Sequence, residues 1–409
     1  MADKFYEEWC KQNYGDNPPT QEQIARDYWM MVETNSKKAF VEYGNDIDTK
    51  FFGSGFLDND VDDSKGVETD DCADMFSEDY YKRTGWNLNN MSVCDGSVLR
   101  HLQTPINGVN VPWLYVGMLF STFCWHNEDN YLYSINYSHF GAVKQWYGVP
   151  GSEAKNFEKV MKNFLLESFQ ESPDLLHHMT TQISPSLLIQ NHVPVYKLSQ
   201  DPKSFVVTFP KAFHCGFSYG FNCGEAVNFA TIDWLLFGGE AEERYRTFNR
   251  GTVFSHQRLL FTILNHKDEI NCPQSRKELA LEILRVVDEE LNSRPSIIQN
   301  GIRDISEKVS LPPNNFDVID EKSSTYDEMR CCSSCNHVCI FSAIACECSK
   351  EKISCIRHYH LMCKCPKDRK YLLSWANTNY LQSLRKEMQL ALQGKGDFIT
   401  EKIITEKKT

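Results

Sequence analysis

The feature that most constrains this chain is the run from Trp113 to Tyr147, where strand-forming residues surround a histidine and a carboxylate two positions apart, His126 and Glu128. Successive side chains of a strand point to opposite faces, so residues i and i+2 share a face. An imidazole and a carboxylate presented together supply two ligands of a facial triad for non-haem Fe(II), with positions left open for co-substrate and oxygen. The third ligand then has to arrive on a second strand passing alongside. His214, in VVTFPKAFHCGFSYG, follows the apolar run 204–209 and opens another, and is the best-placed histidine. A lone HxE is weak, since most such tripeptides are solvated surface; its weight comes from context.

That context is a series of short strands separated by turns. Alternation and β-branched or aromatic content predict strands over 114–122, 131–140, 143–149, 195–198, 204–209, 213–219 and 225–231, with a helical insert over 153–169 and 173–179. Short strands in this number, interrupted by helices, suit a double-stranded β-helix of the cupin or jelly-roll type, whose narrow barrel holds one small ligand. Upstream, 21–35 reads as a helix after Pro19, 39–44 as a strand, 51–56 as a glycine-rich turn and 58–71 as an acid-rich loop. Downstream, helices are predicted over 240–249, 256–264 and 273–292. The spacing of Leu279, Leu281, Ile283, Leu284, Val287 and Leu291 reads as a packed helical layer. The chain is thus expected to be mixed α+β. An N-terminal segment (1–112) packs on the barrel core (113–237), followed by a helical domain (238–330), a cysteine-rich module (331–371), and a C-terminal helix and tail (372–409).

Sixteen cysteines bear on the compartment. No apolar run reaches the ~20 residues of a membrane-spanning helix, and residues 1–20 are too polar for a secretory signal. The expectation is an intracellular chain without a membrane partner, in which cysteines serve metals rather than disulfides. Nine of the sixteen fall between Cys331 and Cys365. Within that stretch Cys332, Cys335, Cys346, Cys348, Cys355, His358, Cys363 and Cys365 supply eight ligands, enough for two tetrahedral structural zinc ions. Cys331 and Cys339 are left over. The net charge of −12 argues against binding DNA through a basic surface and favours a cationic partner.

At FCWHNEDNYLYSINYSHFGAVKQWYGVP, and again through SFVVTFPKAFHCGFSYGFNCGEAVNFATIDWL, the sequence resembles the JmjC-domain histone lysine demethylases. The eight-ligand cluster is similar to the C5HC2 zinc finger that follows JmjC in the JARID-type demethylases of histone H3 lysine 4. The resemblance implies a double-stranded β-helix with Fe(II) on His126, Glu128 and His214. It places Lys144 against the distal carboxylate of 2-oxoglutarate, helped by the Tyr115 hydroxyl. Phe123, Ser134, Asn136 and Trp146 would line the same pocket, and Tyr43 the methylammonium side. Ser134 and Asn136 are two apart, as are Lys144 and Trp146, so each pair shares a strand face; Phe123 and His126 share one only if the strand bends between them. The implied reaction consumes O2 and 2-oxoglutarate, hydroxylates an N-methyl group and releases formaldehyde. The implied setting is the nucleus, with the histone H3 tail as substrate and chromatin or repressor complexes as partners. A silent JmjC scaffold, or a JmjC protein hydroxylase, is the alternative within the same barrel.

The chain departs from that pattern at three points. Ser218 stands four residues after His214, where the family usually has Asn, and Cys215 stands where Ser is usual; both positions are expected near the substrate. JmjN, ARID and PHD segments, which precede JmjC in the family, are not visible.

Overall fold

A computed structural model describes residues 1–34, 38–58, 77–102, 104–266, 270, 272–304 and 330–394. The acid-rich loop beyond Asp58 and the tail beyond Gly394 lie outside the described residues. The chain forms two compact units, Met1–Trp234 and Leu235–Thr409. None of the described helices is long and apolar enough to cross a membrane.

Among the described residues the first unit is built on nine strands: β1 Gly44–Asp48, β2 Trp113–Gly117, β3 Thr122–His126, β4 Tyr133–Gly141, β5 Lys144–Val149, β6 Tyr196–Gln200, β7 Phe205–Thr208, β8 Phe213–Ser218 and β9 Asn222–Phe229. They form two sheets, in the orders β1-β2-β9-β4-β7 and β3-β8-β5-β6. Consecutive strands β2/β3, β4/β5, β6/β7 and β8/β9 lie in opposite sheets, which is the winding of a double-stranded β-helix.

Polarity is inverted relative to an ordinary sandwich. On β8, Phe213, Cys215 and Phe217 point outward into an apolar cluster with Trp9, Tyr28 and Phe157. The Tyr28 ring stacks on Phe217 at 4.0 Å and Phe157 on Phe213 at 4.3 Å. The outer face of the other sheet buries Ile135 and Val227 against Leu88 and Phe56. Alternation therefore turns His214, Gly216 and Ser218 inward, with Ser134, Asn136, Gly224 and Asn228 facing them from β4 and β9. Apolar packing on the outside holds a polar interior in register.

The strand boundaries differ instructively from the sequence reading. The run 114–122 is two strands, because Met118 to Ser121 turn between the sheets with Phe120 at φ 68°. Gly117 closes β2 just before it, where a Cβ would lie 2.7 Å from Ser121 Oγ; that hydroxyl accepts from the Met118 amide at 3.1 Å, and Phe120 packs against Trp9, 5.0 Å away. The N-terminal strand runs over Gly44–Asp48, not 39–44, since β2 offers its edge only from Trp113 to Val116.

The second unit holds the helices Trp234–Thr247, His256–Asn265, Pro273–Gln299 and Thr378–Leu392. With them goes a small sheet in the order β10-β13-β11-β12: β10 Arg303–Asp304, β11 Ser342–Cys346, β12 Ser349–Ser354 and β13 Lys370–Ser374. The long helix passes the expected end at 292 and contains Pro295. Beyond position 292 it still buries Arg294, which is paired with Glu290 and donates to the carbonyls of Phe341 and Ala376, and Ile297. Here tertiary contacts outweigh the local cost of proline.

Gly216 shows how tightly the interior is drawn. A Cβ there would lie 2.6 Å from the Phe123 ring and 2.0 Å from the Gln145 carbonyl oxygen. Gly216→Ala should destabilise the first unit by ~1–3 kcal/mol through overpacking, read as a lower urea midpoint at unchanged m-value.

Candidate functional site

His126 ends β3 directly opposite His214 on β8, and the ladder is irregular between Phe123 and His126. That bulge lets both Phe123 and His126 face the interior. Glu128 lies just beyond the strand in extended conformation. The ligand atoms of His126, Glu128 and His214 lie within 4.8 Å of one another, with His214 Nε2 3.3 Å from a Glu128 oxygen.

The surroundings fix which atoms are free to ligate. His126 Nδ1–H donates to the Cys124 carbonyl at 2.8 Å, and His214 Nδ1–H to the Ala212 carbonyl at 3.1 Å. Each imidazole therefore offers Nε2, the arrangement that orients metal-binding histidines. Asn228 Nδ2 donates to the other Glu128 oxygen at 3.0 Å and to the Tyr133 carbonyl at 3.1 Å. Burial, reinforced by His214, lowers the His126 pKa to about 4. Burial opposes ionisation of Glu128, but the His214 hydrogen bond and charge, with His126 and Asn228, outweigh it and hold the carboxyl at about 2. A neutral His126 beside an ionised carboxylate near pH 7, with a second imidazole Nε2 alongside, fits a divalent first-row metal.

Lys144 stands at the start of β5, opposite Ser218 on β8 and Gln200 on β6. Its Nζ lies 5.7 Å from the ring centres of Tyr115 and Phe123 and 6.0 Å from that of Tyr43. It lines a cavity with Tyr115, Asn136, Gln200, Asn222 and Gly224. Burial lowers its pKa to about 8, and no acidic side chain pairs with it among the described residues. Burial, with the Asp46 carboxylate nearby, also raises the Tyr43 and Tyr115 hydroxyls, and the Tyr115 hydroxyl donates to Asp46. Asn136 donates to Ser134 at 3.2 Å, Ser134 pairs with Thr208 at 2.5 Å, and Trp146 Nε1 donates to Gln200 at 2.9 Å. Phe123 meets Trp146 edge-on at 4.7 Å.

The structure thus gathers His126, Glu128 and His214 at one end of the interior, and Lys144, Tyr115, Phe123, Ser134, Asn136 and Trp146 around and beyond them. Tyr43 lies against Tyr115 and Lys144. Ser218 faces inward, but its hydroxyl is engaged with the Asn222 amide. Cys215 corrects an expectation: strand alternation turns it into the apolar cluster outside the barrel, so it does not line the interior. Gln200, Thr208 and Asn228 carry no sequence signal of their own; only strand pairing reveals that they brace Trp146, Ser134 and Glu128.

In the second unit the cysteine-rich ligands fall into two groups, Cys332, Cys335, Cys355 with His358, and Cys346, Cys348, Cys363 with Cys365. The groups interleave along the chain, so each is closed by two separate hairpin-like knuckles. Cys335 and Cys355 sulfurs are 4.0 Å apart, and His358 Nδ1 is 3.3 Å from Cys355. Four soft donors in each group fit tetrahedral zinc. Cys339 is buried outside both groups.

Comparison with known proteins now has a geometry to explain. The profile described as JmjC domain, hydroxylase, matches residues 113–229, and that of the C5HC2 zinc finger matches residues 332–384. Residues 113–229 thus carry a JmjC domain and residues 332–384 a C5HC2 zinc finger. Lysine-specific demethylase JMJ17 of Arabidopsis thaliana is 41% identical over 367 residues, 89% of this chain and 29% of that protein. Lysine-specific demethylase 5B of Gallus gallus is 40% identical over 90% of this chain and 22% of its own length; 5D of Homo sapiens is 39% identical over 91% and 23%. The chain spans under a third of the length of these relatives, all of them named lysine-specific demethylases.

Buried neutral histidines give the metal-free protein a defined acid response. His126 in the first unit and His256 in the second both sit at about 4, each chiefly through burial. Unfolded, each binds its proton near 6.5. The unfolded state therefore carries the extra proton between those values, and stability falls as pH drops across that window. Urea midpoints from pH 7 to 4 should decline, and Glu128 adds its loss only below the ordinary carboxylate range. A flat profile between pH 6.5 and 4.5 would mean that these imidazoles are already protonated in the fold.

Proposed function

We propose that this chain is an Fe(II)- and 2-oxoglutarate-dependent lysine demethylase acting on tri- and dimethylated lysine 4 of the histone H3 tail. The observation that carries the reading is one interior holding both the His126/Glu128/His214 set and Lys144, a buried cation with no acidic partner among the described residues. A dicarboxylate entering a buried site needs such a cation. Iron, when bound, supplies the oxidation: O2 and 2-oxoglutarate yield succinate and CO2 while one N-methyl C–H becomes C–OH, and the hydroxymethylamine then releases formaldehyde. No nitrogen lone pair is needed, so trimethyl-lysine qualifies.

The chain's own residues do the positioning. His126, Glu128 and His214 hold one face of the metal and leave the other for exchange. Lys144 and the Tyr115 hydroxyl anchor the distal carboxylate, and Ser134, Asn136, Phe123 and Trp146 shape the pocket around it. Two zinc ions on the interleaved groups play a structural part. The relatives are named lysine-specific demethylases, and lysine 4 as the site, the nucleus as the setting and chromatin or repressor complexes as partners rest on the resemblance to the JARID-type demethylases. The net charge of −12 suits a Lys/Arg-rich tail and should act mainly on the association rate, weakening with salt.

Lys144→Ala should weaken 2-oxoglutarate binding by roughly several hundred-fold, the ~3–5 kcal/mol typical of a charge losing its buried partner. Calorimetry on the Mn(II)-loaded protein measures this, and unchanged affinity would remove Lys144 from the site. Glu128→Ala should abolish formaldehyde release from a trimethyl-lysine 4 peptide, assayed against peptides methylated at lysines 9, 27 and 36. Equal turnover on lysine 9 would leave the demethylase reading and end the site assignment.

Metal analysis should find two zinc ions per chain beyond iron, and Cys363→Ser should lower stability before it alters turnover by folded protein. One zinc per chain would mean that one group of four is misassigned.

A further inference from the structure

Residues 43–56 hook over the edge of the five-stranded sheet. At one end Tyr43 sits inside the barrel, its ring 6.4 Å from Tyr115 and 6.0 Å from Lys144 Nζ. β1 then pairs along β2, interrupted by an irregularity between Gly44 and Ile47. At the other end Ser54 and Gly55 lie on the outer face, where Glu225 of β9 is almost wholly buried. The Glu225 carboxylate accepts from Ser54 Oγ at 2.6 Å, from the Gly55 amide at 2.9 Å, and pairs with His139 Nε2 at 2.8 Å.

The fit at that end is close. A Cβ on Gly55 would lie 2.3 Å from the His139 ring, and Gly53 takes φ +84° to turn the chain there. Phe56 packs against His139 and Tyr137 at 5.1 and 5.2 Å. Burying a carboxylate is costly unless its lone pairs are satisfied, and two of the donors that satisfy this one come from the hook. Strand alternation puts Glu225 on the outer face and its neighbour Gly224 on the inner one, where a Cβ would lie 3.9 Å from Lys144 Nζ. The anchor and the pocket are thus back to back across one strand. The hook's middle is tied separately, by Thr49 to the Pro112 carbonyl and by Asn107 to Asp48.

We propose that the Glu225–His139–Ser54 anchor is a positioning device for the co-substrate: it holds the hook over the sheet edge and so keeps Tyr43 seated against Lys144. This rests on Lys144 as the 2-oxoglutarate anchor. Neither Ser54 nor His139 touches the pocket; both act through the hook, which carries Tyr43 and also Asp46, whose carboxylate accepts from the Tyr115 hydroxyl.

The test is a thermodynamic cycle on the zinc-replete, Mn(II)-loaded chain, with the 2-oxoglutarate Kd read by calorimetry. Ser54→Ala and His139→Leu should each raise Kd on the order of ten-fold, the scale of a lost hydrogen bond to a charge, with kcat at saturating 2-oxoglutarate unchanged. His139→Gln, which keeps a donor for Glu225, should restore most of the affinity. In a Tyr43→Ala/Asp46→Ala background, which removes both of the hook's contacts with the pocket, Ser54→Ala should add no further loss, because coupled residues are not additive. If Ser54→Ala leaves Kd unchanged, or its effect adds fully to that of the Tyr43→Ala/Asp46→Ala pair, the positioning role is overturned. Lys144→Ala is the control: if it binds 2-oxoglutarate as tightly as the wild type, the pocket assignment itself is at fault.

Discussion

The pairing of β3 with β8 is the interaction on which the rest depends. It sets His126 opposite His214, and both histidines rely on a register decided outside the barrel. Phe213, Cys215 and Phe217 are buried against the N-terminal helices and the helix Ala154–Phe164. Slipping β8 by one residue would expose those groups inside and bury His214 among Trp9, Tyr28 and Phe157. Burying a Phe stabilises by about 1.5–3 kcal/mol, so two of them and a cysteine outweigh any local preference of the ligands. Helices that never touch the candidate metal centre are what aim it.

The same inversion explains the electrostatics. A polar interior enclosed by apolar layers has few waters to screen it, so each charge there must be answered by a specific group. Glu128 is answered by His214 and Asn228, and Glu225 by the hook and His139. Lys144 is answered only by aromatic faces among the described residues, and cation–π contact returns about 0.5–2 kcal/mol. That is less than a buried ammonium costs, which is why its pKa falls to about 8. On the proposed reading, a dicarboxylate brought against it would supply the missing term, and co-substrate affinity would be tied to the burial of this lysine. The corollary is an affinity that declines as pH rises through 8 and the ammonium is lost.

What was legible in the sequence was what rests on period and on ligand type. The alternation around His126 and His214, the eight cysteine-rich ligands and the strand-rich middle all declare themselves locally. The turn at Phe120 did not, because a phenylalanine takes its positive φ there and is braced by Trp9, more than a hundred residues away. Asn228, Gln200 and Thr208 were silent for a related reason: an amide or hydroxyl in a strand becomes a brace only when pairing chooses its neighbour. Cys215 was misjudged because adjacency to His214 in sequence means the opposite face in a strand. Pro295 inside the long helix shows the same limit from the other side, where Arg294 and its carbonyl partners carry the helix past a residue that ought to end it.

The cysteine-rich module extends this logic to folding order. Because the two ligand groups alternate along the chain, neither can be completed by a contiguous segment. Cys332 and Cys335 wait for Cys355 and His358 across the whole β11–β12 hairpin, which itself carries Cys346 and Cys348 of the other group. Arg357, set between two ligands of one group, pairs with Glu243 and Glu289 on two different helices, and Arg246 lies 3.7 Å from the Cys335 sulfur. Metal ligation, hairpin pairing and helix packing therefore share residues. Ligands held by the helices, with neighbours that hold the helices in return, would couple zinc binding to folding of the second unit.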